Sequence, residues 1–312
     1  MKPRIAITGG CGFVGSYITK KFLEENYEVK VSVTDKSNTE KYEHIASLGH
    51  VTIEEMDARN YEAVTNFIEG YDNIVHCGSP FTFAAEDPQA EIIEPNVVST
   101  RHILQACKNA SYVKKLVIIS SVAAINGYVP SFDPNKGEEH IFTEEDEPTN
   151  EESHNPYCQA KYQADQAVRA FIKNNPNLPF EIVTLYPGFV VGNPLSSYRE
   201  STSAGLLFLI KNKMTPNPMM EWIFQVDNEF AMVAVKDVAE AVYKMVILPN
   251  LHGKKYIISN ETWRASDMSS MLNGKTPQGK SRIQYSNQKA ILELGMQFTP
   301  AKVPLNEFGD AG

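Results

Sequence analysis

The 312-residue chain has no apolar run approaching the ~20 residues of a membrane-spanning helix. Met1 to Thr8 lacks the apolar core and cleavage site of a secretory signal, so a cytoplasmic location is expected. Cysteine is scarce. Cys11, Cys77, Cys107 and Cys158 form no Cys-x-x-Cys pair and have no His at metal-ligand spacing. Reduced, packed thiols and no metal are expected. Positive charge is also short, with 29 Lys and Arg against 38 Asp and Glu. A net charge of −9 makes the chain a poor candidate for binding nucleic acid, which wants a basic face. Internal repeats and low-complexity tracts are absent. The acidity is local: Glu138 to Glu152 holds eight acidic residues and no Lys or Arg, leaving −1 for everything else. That stretch reads as a solvated surface loop.

What is present is an alternation of strand and helix patterns. Strand-like runs fall at Arg4–Thr8, Val29–Thr34, Val51–Ile53, Asn73–Cys77, Lys115–Ser120 and Phe180–Leu185. Helical patterns cover Phe13–Asn26, Asn96–Ala110 and Pro156–Lys173. This predicts an α/β fold, a Rossmann-like doubly wound parallel sheet. Residues 1–186 are expected to form the dinucleotide-binding domain. Residues 187–312, punctuated by Gly188, Gly192, Pro194, Pro216 and Pro218, are expected to form a smaller substrate-binding region with returns to the first. Helices are predicted there from Ala204 to Asn212 and from Asp237 to Leu248, with Asp237 as N-cap.

The first strand runs into Thr8-Gly9-Gly10-Cys11-Gly12-Phe13-Val14-Gly15 and then a helix. Gly9, Gly12 and Gly15 permit a tight turn, approach of a pyrophosphate to the helix N-terminus, and close helix–strand packing. Asp35 follows Gly15 by 20 residues, where an acidic side chain holds an adenosine ribose, although Asp35 also suits a turn through Ser37. Asp57-Ala58 after the third strand falls at an adenine edge. Gly78-Ser79-Pro80 after the fourth provides backbone under a cofactor.

Asn155 and Pro156 open a helix on which Tyr157 and Lys161, four residues apart, share a face. A tyrosine with a pKa of about 10 is a weak acid near neutrality, and a neighbouring ammonium lowers it. Ser121 lies at the end of the fifth strand, where an open parallel sheet binds ligands. The sixth strand leads into Pro187, Phe189 and Val190, which frame a nicotinamide.

Thr8 to Gly15, Ser121 and Tyr157-x-x-x-Lys161 resemble the extended short-chain dehydrogenase/reductase superfamily over most of the chain. His76-Cys77-Gly78-Ser79-Pro80, the Ser120-Ser121 strand end and the long Ser121-to-Tyr157 interval are similar to the branch of dihydroflavonol, cinnamoyl-CoA and yeast methylglyoxal reductases. The resemblance implies Tyr157 as proton donor and Ser121 as carbonyl-orienting group. It makes Lys161 both the tuner of Tyr157 and a contact to the nicotinamide ribose. It further implies Lys41 as a phosphate contact and Asn126 as a substrate-pocket residue, although Asn126 also suits a plain turn before Gly127. Phe81, Phe83, Tyr128, Phe189, Met214 and Trp222 are further pocket candidates. The branch leans to NADPH, yet Thr34 replaces an Arg common in NADPH-dependent relatives, and Asp35 leaves NADH open.

The expected function is therefore NAD(P)H-dependent reduction of a ketone or aldehyde by a monomer or homodimer, with no nucleic-acid or membrane partner. The alternatives are a sugar-nucleotide epimerase or dehydratase with tightly bound NAD, and a non-catalytic NAD(P) sensor.

Overall fold

The computed structural model describes residues 2–78, 85–130, 133–137, 139–148, 155–196 and 202–310. The alternation in the sequence becomes β1 (Arg4–Thr8), α1 (Phe13–Glu24), β2 (Glu28–Val33), α2 (Glu43–Ala46), β3 (Val51–Glu55), α3 (Tyr61–Ile68) and β4 (Asn73–His76). It continues through α4 (Glu94–Asn109), β5 (Lys115–Ile119), α5 (Pro156–Asn174) and β6 (Glu181–Pro187). Every strand pairing among these is parallel.

Alternating side chains on the strands feed two cores, as period-two geometry requires of a sheet covered on both faces. Ile5, Ile7, Val75, Val117 and Val183 pack on the side of Ile18 and Phe22 from α1. Ala6, Ile74, Leu116 and Ile182 pack on the side of Phe67 from α3 and Ile103 and Leu104 from α4.

The later chain supplies β7 (Phe189–Val191), α6 (Thr202–Lys211), α7 (Pro218–Gln225), β8 (Glu229–Ala234), α8 (Val235–Ile247), β9 (Lys255–Ile258), β10 (Thr262–Arg264), α9 (Ala265–Leu272), α10 (Gln288–Leu294) and α11 (Lys302–Asp310). β6 does not close the large sheet. β9 pairs with it, giving seven strands in the order β3-β2-β1-β4-β5-β6-β9. The strands β10-β8-β7 form a second, three-stranded sheet. The chain crosses between sheets at Gly188, whose N–H donates to Ile258 O at 3.0 Å. A Cβ there would lie 2.6 Å from Ala231 O, so only glycine fits the crossing.

Two expectations are corrected. Asp237 is not the cap of α8. β8 passes directly into that helix, so Ala234 takes the cap position. Asp237 sits buried in the first turn, accepting from Thr299 N at 2.7 Å and Thr299 Oγ1 at 2.8 Å. The acidic stretch is not simply a solvated loop either. Glu144 is buried and accepts from Ile257 N at 2.9 Å. Glu147 pairs with Arg169 on α5. Asp146 gathers Lys136, His140 at 2.9 Å, and Thr143 N at 2.8 Å. Phe142 stacks on Tyr285 at 5.2 Å and forms a parallel bridge with it. Glu144 and Asp146 are anchors, because burying a carboxylate requires partners that recover its lost hydration, whereas Glu147 makes its ion pair at the surface.

Among the described residues no helix is long and apolar enough to cross a membrane, and no cluster of His, Cys, Asp or Glu could hold a metal.

The Lys136 and Thr143 contacts hold the Asp146 carboxyl at about 2, against an ordinary 3.8, in opposition to its burial. Its stabilisation is therefore complete above about 3.8 and lost as pH falls through about 2. Asp146→Asn should lose about 1–3 kcal/mol at pH 7 in urea denaturation, with the gap from wild type closing toward pH 2.

Candidate active site

The strand order reverses between β1 and β4, and their carboxyl ends open the crevice where doubly wound sheets bind ligands. Thr8 ties the two strands together. Its Oγ1 accepts from Cys77 N at 3.2 Å and Gly78 N at 3.3 Å and lies 2.9 Å from His76 Nδ1. With both acceptor directions taken, the hydroxyl proton goes to Nδ1, which leaves the imidazole proton on Nε2. Burial first, and the Lys161 charge second, lower His76 to about 4, so the ring is neutral at physiological pH.

The glycine turn after β1 is built for close approach. Gly9 has φ +65°, and a Cβ on it would sit 2.8 Å from Gly78 Cα. A Cβ on Gly15 would meet Gly9 O at 2.1 Å. Gly12 N donates to Gly9 O at 3.0 Å, and Gly12 caps α1 without any side-chain hydrogen bond. The first-turn N–H groups at Phe13, Val14 and Gly15 thus lack a side-chain acceptor at the helix's positive end.

Ser121 and Tyr157 meet across the end of β5. Ser121 Oγ accepts from Ala123 N at 3.1 Å, and its hydroxyl hydrogen-bonds the Tyr157 phenol. Lys161 Nζ lies 5.8 Å from the centre of the Tyr157 ring. Lys161 is 6% exposed, and no hydrogen bond or ion pair holds its ammonium among the described residues. A small cleft beside it is lined by His76, Gly78, Ser120, Lys161, Asp165 and Thr184.

The electrostatics differ from the expectation that Lys161 pulls the tyrosine down. Burial dominates and pushes the Tyr157 phenol up to about 12, with the Ser121 hydrogen bond opposing it. Burial likewise lowers Lys161 to about 8, with Cys77 opposing. In a desolvated site each group resists its charged form, so the phenol is a proton-bearing acid at neutral pH.

Other expected residues are placed as follows. Asp35 folds onto its own turn, accepting from Ser37 N at 2.9 Å and Ser37 Oγ at 2.6 Å; these bonds hold it ionised, with Lys41 adding charge. Asp57 forms a paired contact with Arg59, Nη2 to Oδ2 at 2.7 Å. Ala58 O accepts from His102 Nδ1 at 3.2 Å. Pro187 ends β6, and Val190 is buried in β7.

Phe189 packs against Phe230 at 5.5 Å, in the core of the second sheet. Met214 and Trp222 are exposed. Asn126 does not face an open pocket. It is fully buried, donating from Nδ2 to Tyr285 Oη at 2.9 Å and accepting at Oδ1 from Tyr128 N at 3.0 Å. Ser79, Pro80, Phe81 and Phe83 lie outside the described residues.

Two neighbours of Lys161 carried no role in the sequence analysis. His76 is brought in by strand pairing, which no local pattern announces. Asp165 was signalled by spacing, since Tyr157, Lys161, Asp165 and Arg169 recur every fourth residue along α5. Asp165 binds Tyr186 Oη and forms a close ion pair with Arg169, Nε to Oδ2 at 2.6 Å.

These residues fit a dinucleotide. Gly9 and Gly15 admit no Cβ, the α1 N-terminus has no side-chain cap, and beside Gly78 stands a buried ammonium with no hydrogen-bond or ion-pair partner among the described residues.

Comparison with known proteins agrees with that geometry. Residues 5–259 match the model of the NAD dependent epimerase/dehydratase family. The chain is 26% identical to a cinnamoyl-CoA reductase of Medicago truncatula, covering 97% of this chain and 93% of that protein. It is 27% identical to a bifunctional dihydroflavonol 4-reductase/flavanone 4-reductase of Malus domestica, covering 94% and 85%. The fold is similar to that of yeast methylglyoxal/isovaleraldehyde reductase complexed with NADPH (TM-score 0.83, 21% identity, 98% and 97% covered). It is also similar to MoeE5 in complex with UDP-glucuronic acid and NAD (TM-score 0.73, 17% identity, 98% of each chain covered).

Gly9→Ala tests the cradle. The added Cβ meets Gly78 and strains a positive φ, so stability should fall by about 1–3 kcal/mol. Dinucleotide affinity, followed by fluorescence titration, should weaken by roughly tenfold or more, because the backbone that approaches the pyrophosphate is displaced.

Proposed function

The chain belongs to the NAD dependent epimerase/dehydratase family, and from that premise we propose that it is an NAD(P)H-dependent reductase of a ketone or aldehyde. The observation that carries the reading is the meeting of Ser121 with a proton-bearing Tyr157 beside a buried Lys161 that no ion pair holds among the described residues. The sequence relatives named above are reductases of carbonyl compounds. The fold alone does not discriminate, since a UDP-glucuronic acid complex shares it.

Gly9, Gly12, Gly15 and the first-turn amides of Phe13 and Val14 would hold the pyrophosphate. Thr8 fixes that turn against β4. Asp35 and Lys41 would stand at the adenosine ribose, Asp57 and Ala58 at the adenine edge. Gly78, with Ser79 and Pro80, would run beneath the cofactor, and Pro187 and Val190 would flank the nicotinamide. Asp35 disfavours a phosphate dianion and Lys41 favours one, so NADH and NADPH both belong in the assay. A bound reduced nicotinamide supplies the hydride.

Every other part of the reaction falls to side chains. Ser121 donates to the substrate carbonyl oxygen and holds it against Tyr157. The phenol gives its proton to that oxygen as negative charge develops there, which makes the alcohol. Lys161 binds the nicotinamide ribose and stabilises the phenolate left behind. Reprotonation of Tyr157 restores the site.

Consumption of NADH and NADPH should be followed against aldehydes, ketones, flavanonols and sugar nucleotides. Net oxidation of the cofactor by a carbonyl substrate is expected; tightly bound NAD with no net consumption would instead indicate an epimerase. Tyr157→Phe should lower kcat by about 10²–10⁴ while dinucleotide binding stays within about twofold of wild type. Because kcat/KM reports the free enzyme, it should fall as pH rises through about 8, where Lys161 loses its proton. An alkaline limb absent from that range would contradict the role given to Lys161.

A further inference from the structure

Asn155 precedes the first turn of α5, two residues before Tyr157. Its Oδ1 accepts from Cys158 N at 3.0 Å, a duty that Ser, Thr or Asp performs equally well. Its other amide atom makes a second contact of its own. Nδ2 donates to Val129 O at 3.1 Å, across 26 residues of chain. Among the residues favoured at N-caps, only Asn carries its acceptor and its N–H donor on two separate atoms of one short side chain.

Val129 lies in the loop that leaves Ser121, and that loop is itself fixed. Buried Asn126 grips Tyr285 Oη and Tyr128 N, and Val129 N reaches Asn126 O at 3.4 Å. A short path of hydrogen bonds therefore runs from the Ser121 turn through Asn126 and Val129 to Asn155 and the start of α5. It joins the two ends of the long Ser121-to-Tyr157 interval without passing through the acidic segment between them.

Ser121 sits on the end of a sheet strand and Tyr157 on a separate helix. Their hydrogen bond requires the two elements to be held in register, and misplacement of reacting groups by about 1 Å can cost on the order of 10²-fold in rate. We infer that Asn155 is a positioning residue, whose amide ties the first turn of α5 to the Val129 carbonyl and so holds the Tyr157 phenol against Ser121. The inference rests on the catalytic roles proposed above for Ser121 and Tyr157.

Asn155→Ser separates the two functions of the side chain, because serine still caps Cys158 N but lacks the separate N–H donor that Asn155 gives to Val129 O. The expected result is a melting temperature within about 2 °C of wild type, dinucleotide affinity within about twofold, and kcat lower by roughly tenfold or more. A purely capping role would leave kcat where it is. Asn155→Ala, which removes both bonds, should also lower the melting temperature.

A second readout does not depend on turnover. With 3-fluorotyrosine at position 157, the fluorine resonance of the Asn155→Ser protein should move toward that of the Ser121→Ala protein, in which the phenol has lost its partner. Wild-type kcat together with a wild-type resonance in Asn155→Ser would overturn the inference. Should that variant fail to fold, Asn155→Asp replaces it: the cap acceptor remains, an acceptor now faces the Val129 carbonyl, and the same two outcomes apply. Should the wild-type protein reduce no carbonyl compound, the reductase reading fails separately. The fluorine shift then decides the positioning role alone.

Discussion

A buried ammonium with no counter-ion among the described residues governs this end of the sheet. Lys161 is taken out of water and given no carboxylate, an arrangement that penalises the charged form and that a protein retains only where the surroundings enforce it. The described groups around it are neutral or engaged elsewhere. The Cys77 thiol beside it is held protonated by its own burial. His76 is kept neutral with its acceptor nitrogen bound to Thr8. Asp165, one turn further along the same helix, is committed to Arg169 and Tyr186. The Arg169 side chain in turn pairs with Glu147. The ammonium is left for a ligand hydroxyl, and the Tyr157 phenol is left with its proton.

What could be read in advance follows the range of the interaction. The glycine turn is local, and so is the i, i+4 spacing of Tyr157 and Lys161; both are visible as spacing. Strand periodicity exposed six of the seven strands in the large sheet. β9 escaped because Lys255–Ile258 is short and its place beside β6 is set by a partner some seventy residues earlier. The role of Asp237 was misread for a related reason. An acidic residue near a helix start suits a cap, but the Thr299 groups that claim its carboxylate lie 62 positions away. Asn126 shows the same limit, since its amide is claimed by Tyr285 at a separation of 159.

The acidic segment shows how charge counts mislead when position is unknown. Read as composition, Glu138 to Glu152 is a patch of solvated charge. In the fold, Glu144 reaches a strand amide, Asp146 organises a turn, and Glu147 pins the helix that carries Tyr157. Part of the formal charge of −9 therefore fastens the segment between Ser121 and Tyr157 rather than dressing the surface.

The fastening has a consequence for how the chain is made. β9 completes the large sheet from residues 255–258, Glu144 waits for the Ile257 amide, and Phe142 and Asn126 both wait for Tyr285. A ribosome that has released the first 190 residues has released the glycine turn, Ser121, Tyr157 and Lys161, but not the side chains that hold their loops in place. Synthesis thus delivers the chemistry early and its scaffold late. Contacts of such long sequence separation are slow to form, so these residues wait through the roughly 95 residues between 190 and Tyr285 before the side chains that hold their loops exist.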